Sequence, residues 1–206
     1  MGQLEPSKVV SYLLAYYKDG MTKYGDAWVH ADIRTVLVSL AELMQPQRYL
    51  EVGVFHGQSM AMMGALCPDC EIVGFDLWIP KYSGLDNFGP DFVREQLEQV
   101  GHRASLTLIS GDSHVTLPEF FAAHPTESFD VITVDGDHTE EGAAQDLMHV
   151  IPHLRTGGFL VFDDIAYSGF AHLTRVWSQL VASDPRFITW VFRELGNGVA
   201  VALKQY

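Results

Sequence analysis

The chain of 206 residues is long enough for one sizeable hydrophobic core and too short for two comfortable domains. Hydrophobic residues make up 48% of the sequence and aromatic residues 12%, which indicates a folded globular protein rather than a disordered one. The formal net charge of -13 disfavours nucleic acid and anionic membranes as partners, although an acidic chain can hold a local cation.

Targeting and redox signals are weak. The first residues, MGQLEPSKVV, lack the basic start and apolar run of a secretory signal, and no apolar run approaches the roughly 18 residues of a membrane span. We therefore expect a cytoplasmic enzyme or binding protein. Cys67 and Cys70 follow a predicted helix rather than open one, and no second pair completes a zinc site, so we interpret them as ordinary thiols in a turn.

Two helices are predicted at the N-terminal end. The segment EPSKVVSYLLAYYKDG predicts a helix that ends by Gly20, and MTKYGDAWVH predicts a loop. The segment ADIRTVLVSLAELMQP predicts a second helix that stops at Pro46, with one apolar face formed by Ile33, Val36, Leu37, Leu40 and Leu43 or Met44. We expect residues 1–46 to form a helical cap on a single globular unit spanning residues 47–206.

From Tyr49 onward, short strands alternate with helices. The strands are RYLEVGVF, EIVGFDLW, SLTLISGD, FDVITVDGD and GGFLVFDD, and the chain closes with the strand pair RFITWVF and GVAVALK. Five consecutive βα units predict an α/β fold with a doubly wound, mostly parallel sheet, to which the terminal hairpin adds one antiparallel strand. We expect Trp177 and Trp190 in the core, and His149 and His153 in surface or packing positions.

The residues after the first strand suit a ligand. In such sheets ligands bind beyond the carboxyl ends of the strands. Gly53 and Gly57 permit a close backbone approach, but their spacing does not match the dinucleotide fingerprint G-x-G-x-x-G. Glu51 would repel a phosphate and favour an ammonium group, so a NAD-binding or nucleotide-sugar-binding domain is disfavoured. A βα turn without a ligand is the alternative.

The next two strand ends suit a nucleoside. Asp76 can accept hydrogen bonds from both hydroxyls of a ribose, and the apolar side chains of Leu77 and Trp78 can sandwich a base. Asp112 and Ser113 follow the third strand and can bind a base edge, or either of them can cap the next helix.

Acidic residues follow the fourth and fifth strands. VDGDH supplies Asp135, Asp137 and His138, and FDD supplies Asp163 and Asp164. Adjacent parallel strands lie about 4.8 Å apart, so Asp135 and Asp163 can share one site. Clustered carboxylates cannot all stay ionised without a cation, and hard oxygen ligands suit Mg²⁺, Mn²⁺ or Ca²⁺. The alternative to a metal site is that Asp163 and Asp164 accept hydrogen bonds from loop backbone.

Taken together, five motifs resemble the class I S-adenosylmethionine-dependent methyltransferases. They are YLEVGVFHGQS, IVGFDLW, ISGDS, FDVITVDGDHTEEG and LRTGGFLVFDDI, and they cover about residues 47–166. They are similar to the family of macrolide-sugar and other natural-product O-methyltransferases with cephalosporin-hydroxylase-type relatives. The resemblance implies a seven-stranded Rossmann-like sheet and a set of S-adenosyl-L-methionine contacts: Glu51, Gly53, Gly57, Ser59, Asp76, Leu77, Trp78, Gly111, Asp112, Ser113 and Asp135.

The resemblance also implies a divalent metal, typically Mg²⁺, that is bound by Asp135, Asp163 and Asp164 and grips the hydroxyls of the acceptor. Asp137 matches the general base proposed in that family. This chain differs in carrying His138 and Thr139 after Asp137, and Glu140 where many relatives carry tyrosine. Because histidine is the natural base near neutral pH, the catalytic base stays open between Asp137 and His138.

The expected function is methyl transfer from S-adenosylmethionine to a hydroxyl of a small-molecule acceptor such as a sugar, a phenol or another natural product. The long segment WIPKYSGLDNFGPDF has the length and composition of a lid over that acceptor. The alternative is a non-methylating S-adenosylmethionine-binding component of a different reaction. The sequence is also compatible with a homo-oligomer.

Overall fold

The computed structural model describes residues 8–27, 31–193 and 196–206. Its strands form one sheet: β1 (Arg48–Val52), β2 (Glu71–Asp76), β3 (Leu106–Ser110), β4 (Phe129–Val134), β5 (Leu154–Asp163), β6 (Phe187–Phe192) and β7 (Val199–Lys204). The spatial order is β3-β2-β1-β4-β5-β7-β6. The pairs among β1 to β5 are parallel, whereas β7 is antiparallel to both β5 and β6. The predicted seven-stranded, mostly parallel α/β sheet is confirmed.

The helices are α1 (Lys8–Tyr24), α2 (Ile33–Met44), α3 (Gln58–Leu66), α4 (Gly89–Gln99), α5 (Ser113–Ala123), α6 (Glu140–Val150) and α7 (Ala171–Trp177). α7 continues into a π-helical segment, Ser178–Ala182. The prediction of a loop from Met21 was wrong in part, because α1 runs on to Tyr24 and the glycine that follows it, Gly25, has a left-handed φ of 55°. None of the helices in the described ranges has the length and apolar composition to span a membrane.

Helices cover both faces of the sheet, and each face has its own apolar cluster. Successive strand residues point to opposite faces, so Leu50 and Ile132 pack with α5, α6 and α7, whereas Tyr49 and Val131 pack with α2, α3 and α4. Within the described residues α2 therefore shares a core with the sheet. A cap bounded at residue 46 stays a prediction, and residues 1–7 of it lie outside the described ranges.

The solvent exposure of individual side chains tests the predicted positions of two tryptophans and two cysteines. Trp177 is buried and stacks on Phe162, with ring centroids 5.8 Å apart, as expected. Trp190 was wrongly predicted to be in the core, because it lies on the edge strand β6 and is 43% exposed. Cys67 and Cys70 are buried free thiols, and burial raises the pKa of Cys70 to about 12.

The carboxyl ends of β1 and β4 approach each other at Gly53. The Asp135 N–H donates to the carbonyl of Val52 at 2.8 Å, and the Gly53 N–H donates to the carbonyl of Phe75 at 2.9 Å. Gly53 has a φ of 85°, and a Cβ atom there would lie 1.9 Å from the backbone oxygen of Asp135. Only glycine therefore lets these strand ends meet.

We predict that Gly53→Ala destabilises the protein far more than Gly101→Ala. Gly101 has a matching φ of 83°, but a Cβ atom there would have no described atom within 4 Å, so that variant should lose only about 1–2 kcal/mol from the left-handed backbone. Gly53→Ala adds the backbone clash and should lose at least roughly 2 kcal/mol more. Urea unfolding of both variants measures the difference, and equal losses would contradict the close approach.

Candidate active site

A cavity of about 1100 Å³ lies beyond the carboxyl ends of the parallel strands. Seven of the predicted cofactor residues line it: Gly53, Asp76, Leu77, Gly111, Asp112, Ser113 and Asp135. The other four, Glu51, Gly57, Ser59 and Trp78, are not among its lining residues. The structure thus brings most of the predicted strand-end residues to one cavity.

The Asp76 carboxylate ties two strand ends together. Its Oδ2 accepts hydrogen bonds from the N–H groups of Val54 at 2.8 Å and Phe55 at 2.7 Å, and its Oδ1 accepts one from Trp78 N–H at 2.5 Å. A carboxylate has about four acceptor sites, so most of them are already used by backbone. The ribose contact of Asp76 stays a prediction. Trp78 donates its indole N–H to Ser110 at 2.9 Å, at the end of β3.

Glu51 is buried in a polar network beside the cavity. It accepts hydrogen bonds from the hydroxyls of Tyr49, at 2.7 Å, and Ser59. The Tyr49 hydroxyl also lies 2.9 Å from Thr133 Oγ1. Burial raises the pKa of Glu51 to about 8, although the two hydrogen bonds oppose the shift. Its described contacts are therefore with protein, and its contact with a cofactor ammonium group stays a prediction.

An acidic cluster lines the same cavity at the ends of β4 and β5. Asp135 and Asp164 flank the imidazole of His138, whose Nε2 lies 3.3 Å from Asp135 Oδ1 and 3.4 Å from Asp164 Oδ2. The potential ligand atoms of these three residues lie within 4.8 Å of one another. The two carboxylates are hard oxygen ligands that suit Mg²⁺ or Mn²⁺, whereas an imidazole is more typical of Zn²⁺ or Fe²⁺ sites.

Asp163 lies next to this cluster but outside the group of three. Burial, and then the charges of Asp135 and Asp164, raise the pKa of Asp163 well above its usual range. Burial and the Asp135 charge also raise the pKa of Asp164, and the Asn197 side chain hydrogen-bonds to it. Asp163 as a metal ligand stays a prediction, whereas His138 was predicted as a base and not as a member of the metal group.

The His138 ring is held on several sides. It stacks on Phe170 with centroids 4.6 Å apart and an interplanar angle of 6°. Its Nδ1 lies 3.2 Å from the Tyr82 hydroxyl, and its carbonyl accepts a hydrogen bond from His172 Nε2 at 2.5 Å. Burial alone would lower the pKa of His138, but the hydrogen bond and charge of Asp135, with Asp164, raise it overall.

Asp137, the other candidate base, is held by the start of α6. Its Oδ1 accepts the N–H of Thr139 at 2.7 Å, and a Cβ atom at Gly142 would lie 2.1 Å from its Oδ2. Its Oδ2 also lies 3.8 Å from His114 Nε2. The described contacts of Asp137 are thus with α6 and His114, whereas His138 faces the two acids of the cluster.

Two acids organise the part of the cavity near the ends of β3 and β4: Asp112, which caps α5, and Asp146, which is buried on α6. Asp112 caps α5 by accepting the N–H of His114 at 3.0 Å, which was one of the two roles expected for it. Asp146 was missed by the sequence analysis. It is fully buried, it hydrogen-bonds to Ser113, and it accepts the N–H of Asp137 at 3.4 Å. Its position on the apolar face of α6, between Ala143 and Val150, is a signal that could have identified it.

The predicted lid contributes Ile79, Tyr82 and Asn87 to the cavity wall. His56 Nε2 donates to the carbonyl of Asp86 at 2.6 Å, which ties this segment to the turn after β1. The Tyr82 hydroxyl lies 3.2 Å from His138 Nδ1, and burial, followed by the charges of Asp135 and Asp164, raises the pKa of Tyr82. The contact of Tyr82 with His138 was not predicted, because Tyr82 lies between β2 and α4 in a segment whose sequence shows no strand or helix periodicity.

The strand order and the strand-end cavity define the class I methyltransferase fold. The family model described as a methyltransferase domain matches residues 50–165, and the chain belongs to that family. The resemblance to S-adenosylmethionine-dependent methyltransferases is confirmed, and the protein is an enzyme of that class.

Solved structures of methyltransferases, two of them named as O-methyltransferases, share this fold at low sequence identity. TomG of Streptomyces achromogenes, involved in tomaymycin synthesis and solved with S-adenosylmethionine, is 19% identical with a TM-score of 0.70, covering 98% of this chain and 92% of its own. An O-methyltransferase of Bacillus cereus bound to S-adenosylhomocysteine is 16% identical with a TM-score of 0.68 and the same coverage, 98% and 92%. PaMTH1 of Podospora anserina, also bound to S-adenosylhomocysteine, is 18% identical with a TM-score of 0.66 and covers 98% of both chains.

We predict that the buried Glu51 makes stability fall as pH rises. Its pKa is about 8 in the folded protein against a usual 4.5, so the folded state holds a proton that the unfolded state releases. Stabilisation is therefore complete below pH 4.5 and is lost up to about pH 8, by at most about 1.4 kcal/mol per pH unit.

Urea unfolding between pH 5 and 8 tests this expectation. Glu51→Gln removes this titration and should make the pH dependence shallower, because the raised pKa values of Asp146, Asp163 and Asp164 remain. Glu95→Gln, at an exposed position on α4, should keep the wild-type slope. If the free energy of unfolding of Glu51→Gln fell with pH as steeply as that of the wild type, Glu51 would be excluded as the origin of the pH dependence.

Proposed function

We propose that the protein transfers a methyl group from S-adenosylmethionine to a hydroxyl oxygen of a small-molecule acceptor, with the assistance of a divalent metal. One observation carries this proposal: the cluster of Asp135, His138 and Asp164 lies in the wall of the cavity that most of the predicted cofactor residues line. The O-methyltransferases that share the fold give it further support, and TomG acts in the synthesis of a natural product. No comparison favours the non-methylating alternative, while a cytoplasmic location and a homo-oligomer stay predictions.

The cavity suits the cofactor in size and lining. Its volume of about 1100 Å³ slightly exceeds the usual ligand-site range of about 300–1,000 Å³, so it has room for a nucleoside and an acceptor together. Asp112 and Ser113 supply oxygens for the base, Asp76 keeps about one acceptor site for the ribose beside its three backbone hydrogen bonds, and Gly53 and Gly111 allow close backbone approach. When bound, S-adenosylmethionine supplies the methyl group on its sulfonium sulfur. The chain's own contribution is to hold the acceptor oxygen near and in line with that methyl group.

The acidic cluster fits a divalent metal. Asp135 and Asp164 would hold the ion, with Asp163 as a third acid beside them. When bound, such an ion lowers the pKa of a coordinated hydroxyl. Burial, and then the charge of Asp135, raise the pKa of both Asp163 and Asp164, and a cation bound beside them would oppose both effects.

His138 is the better candidate for the base, and Asp137 is the alternative. Nε2 lies beside Asp135 and Asp164, whose carboxylates can only accept, so the cluster by itself favours the tautomer with its proton on Nε2. A cation on the two acids would withdraw them from Nε2 and allow the tautomer that accepts a proton there, with its Nδ1–H donated to the Tyr82 hydroxyl oxygen 3.2 Å away. The stack on Phe170 fixes the plane of the ring.

Metal removal should separate chemistry from cofactor binding. We predict that EDTA abolishes methyl transfer, that added Mg²⁺ or Mn²⁺ restores it, and that calorimetric affinity for S-adenosylhomocysteine changes little. Asp164→Asn should weaken Mn²⁺ binding at least roughly tenfold while tolerating the left-handed φ of 58° at this position. Asp91→Asn, an exposed change on α4, is the control. Full activity in excess EDTA would contradict metal assistance, and absence of S-adenosylhomocysteine binding would contradict the cofactor assignment.

The role of His138 is tested by comparing rate with metal affinity. If His138 is the base, His138→Gln should lower kcat by about 10²–10⁴-fold and leave Mn²⁺ affinity nearly unchanged. If it is a metal ligand, both should fall. Asp137→Asn, measured in the same way, should have the smaller effect on kcat. A normal kcat in His138→Gln with a large loss in Asp137→Asn would assign the base to Asp137.

A further inference from the structure

The charge of the cavity wall restricts the acceptor. Six carboxylates line the cavity: Asp76, Asp112, Asp135, Asp137, Glu140 and Asp164. Within the part of the chain that the structure describes, no lysine or arginine is among the lining residues. Arg175 pairs with Glu140 at 2.7 Å on the protein surface, and the other five acids make no described ion pair with a lysine or arginine.

The cations expected in the cavity do not balance these acids. S-adenosylmethionine carries one net positive charge and a divalent ion carries two, against five carboxylates. The histidines of the wall are engaged by protein groups: His114 by Asp112 at 3.1 Å, His138 by Asp135 and Asp164, and His172 by a backbone carbonyl. Even a protonated His138 would leave the wall negative.

The remaining lining groups are apolar or neutral. Ile79, Tyr82, Tyr167 and Phe170 supply aliphatic and aromatic surface, and Asn197 supplies an amide. None of them can pair with a phosphate or a carboxylate as an arginine or lysine would. Such an anion in this cavity would lose water and meet like charge.

We propose that the acceptor is an uncharged or cationic hydroxyl compound and that phosphorylated, coenzyme A-linked and carboxylate-bearing acceptors are rejected. This inference rests on the proposed function, because it assumes that the acceptor enters the cavity of the acidic cluster. It narrows the sugars, phenols and natural products considered above to their neutral or cationic members.

Three catechols of equal shape and different charge test the proposal. Each carries a vicinal diol that chelates a divalent ion and a short alkyl arm that ends in an ammonium, a hydroxyl or a carboxylate group. Calorimetry on the protein loaded with S-adenosylhomocysteine and Mn²⁺ measures their binding, and product analysis with S-adenosylmethionine measures methylation. We expect the carboxylate to bind at least roughly tenfold more weakly than the alcohol at low salt, the amine to bind at least as well, and the gap to shrink in about 0.5 M salt.

A matched pair of variants isolates the wall charge. Glu140→Gln removes a lining carboxylate and frees Arg175, so the affinity of the carboxylate relative to the alcohol should rise several-fold. Glu141→Gln, the exposed neighbour outside the cavity lining, should leave that ratio unchanged.

The outcomes separate this inference from the proposed function. Equal or tighter binding of the carboxylate at low salt would overturn the inference. Binding in the expected charge order without methylation of any member would overturn the proposed function and leave the inference in place. Binding of S-adenosylhomocysteine without binding of any catechol would overturn both the metal-assisted reaction and the inference.

Discussion

The concentration of carboxylates at one edge of the sheet is the constraint on which the site depends. Parallel strands deliver their carboxyl ends to the same edge, so acids that follow β2, β4 and β5 meet there whatever their separation in sequence. Like charges in a half-buried cavity repel, and each needs hydrogen-bond donors, a proton or a cation. Some of these acids are satisfied by hydrogen-bond donors of the protein, and we call them structural acids. The others have fewer donors and keep acceptor capacity for a ligand.

The structural acids are bound by backbone N–H groups. Asp76 accepts three such hydrogen bonds and fixes the turn after β1. Asp146 hydrogen-bonds to the Ser113 side chain and accepts the N–H of Asp137, and it thereby connects the segments that follow β3 and β4. The acids of the cluster have fewer donors. Asp135 and Asp164 share one imidazole, and the pKa of Asp164 is raised by its burial and by Asp135. A site with this residual negative charge has a physical reason to bind a cation.

The fold and the edge of the site could be predicted from sequence because they follow from periodicity. Alternating strands and helices fix the parallel sheet, and adjacency of β4 and β5 brings Asp135 to the acids of FDD. Which of those acids joins the cluster could not be predicted. The strand ends at Asp163, and Asp164 takes a left-handed φ of 58°, so the alternation of strand side chains no longer gives its direction.

Contacts made by edge strands and loops could not be predicted from the sequence either. Trp190 matches an apolar pattern, but its exposure follows from the position of β6 at the sheet edge, which only the strand order reveals. Tyr82 lies in a loop whose path depends on the contact of His56 with Asp86 and on left-handed backbone at Trp78 and Lys81. Local sequence does not encode such long-range ties.

The contact between Tyr82 and His138 would link the predicted lid to the candidate base. Tyr82 lines the cavity and its hydroxyl reaches His138 Nδ1, while the opposite ring nitrogen faces Asp135 and Asp164. The predicted lid in this position covers the space proposed for the acceptor and gives the candidate base a neutral hydroxyl partner at Nδ1. The tyrosine brings no charge into an already negative cavity, whereas an arginine or lysine there would pair with the acids proposed to hold a metal. A neutral hydroxyl on the predicted lid thus leaves the carboxylates of the cluster without a competing cationic side chain from this segment.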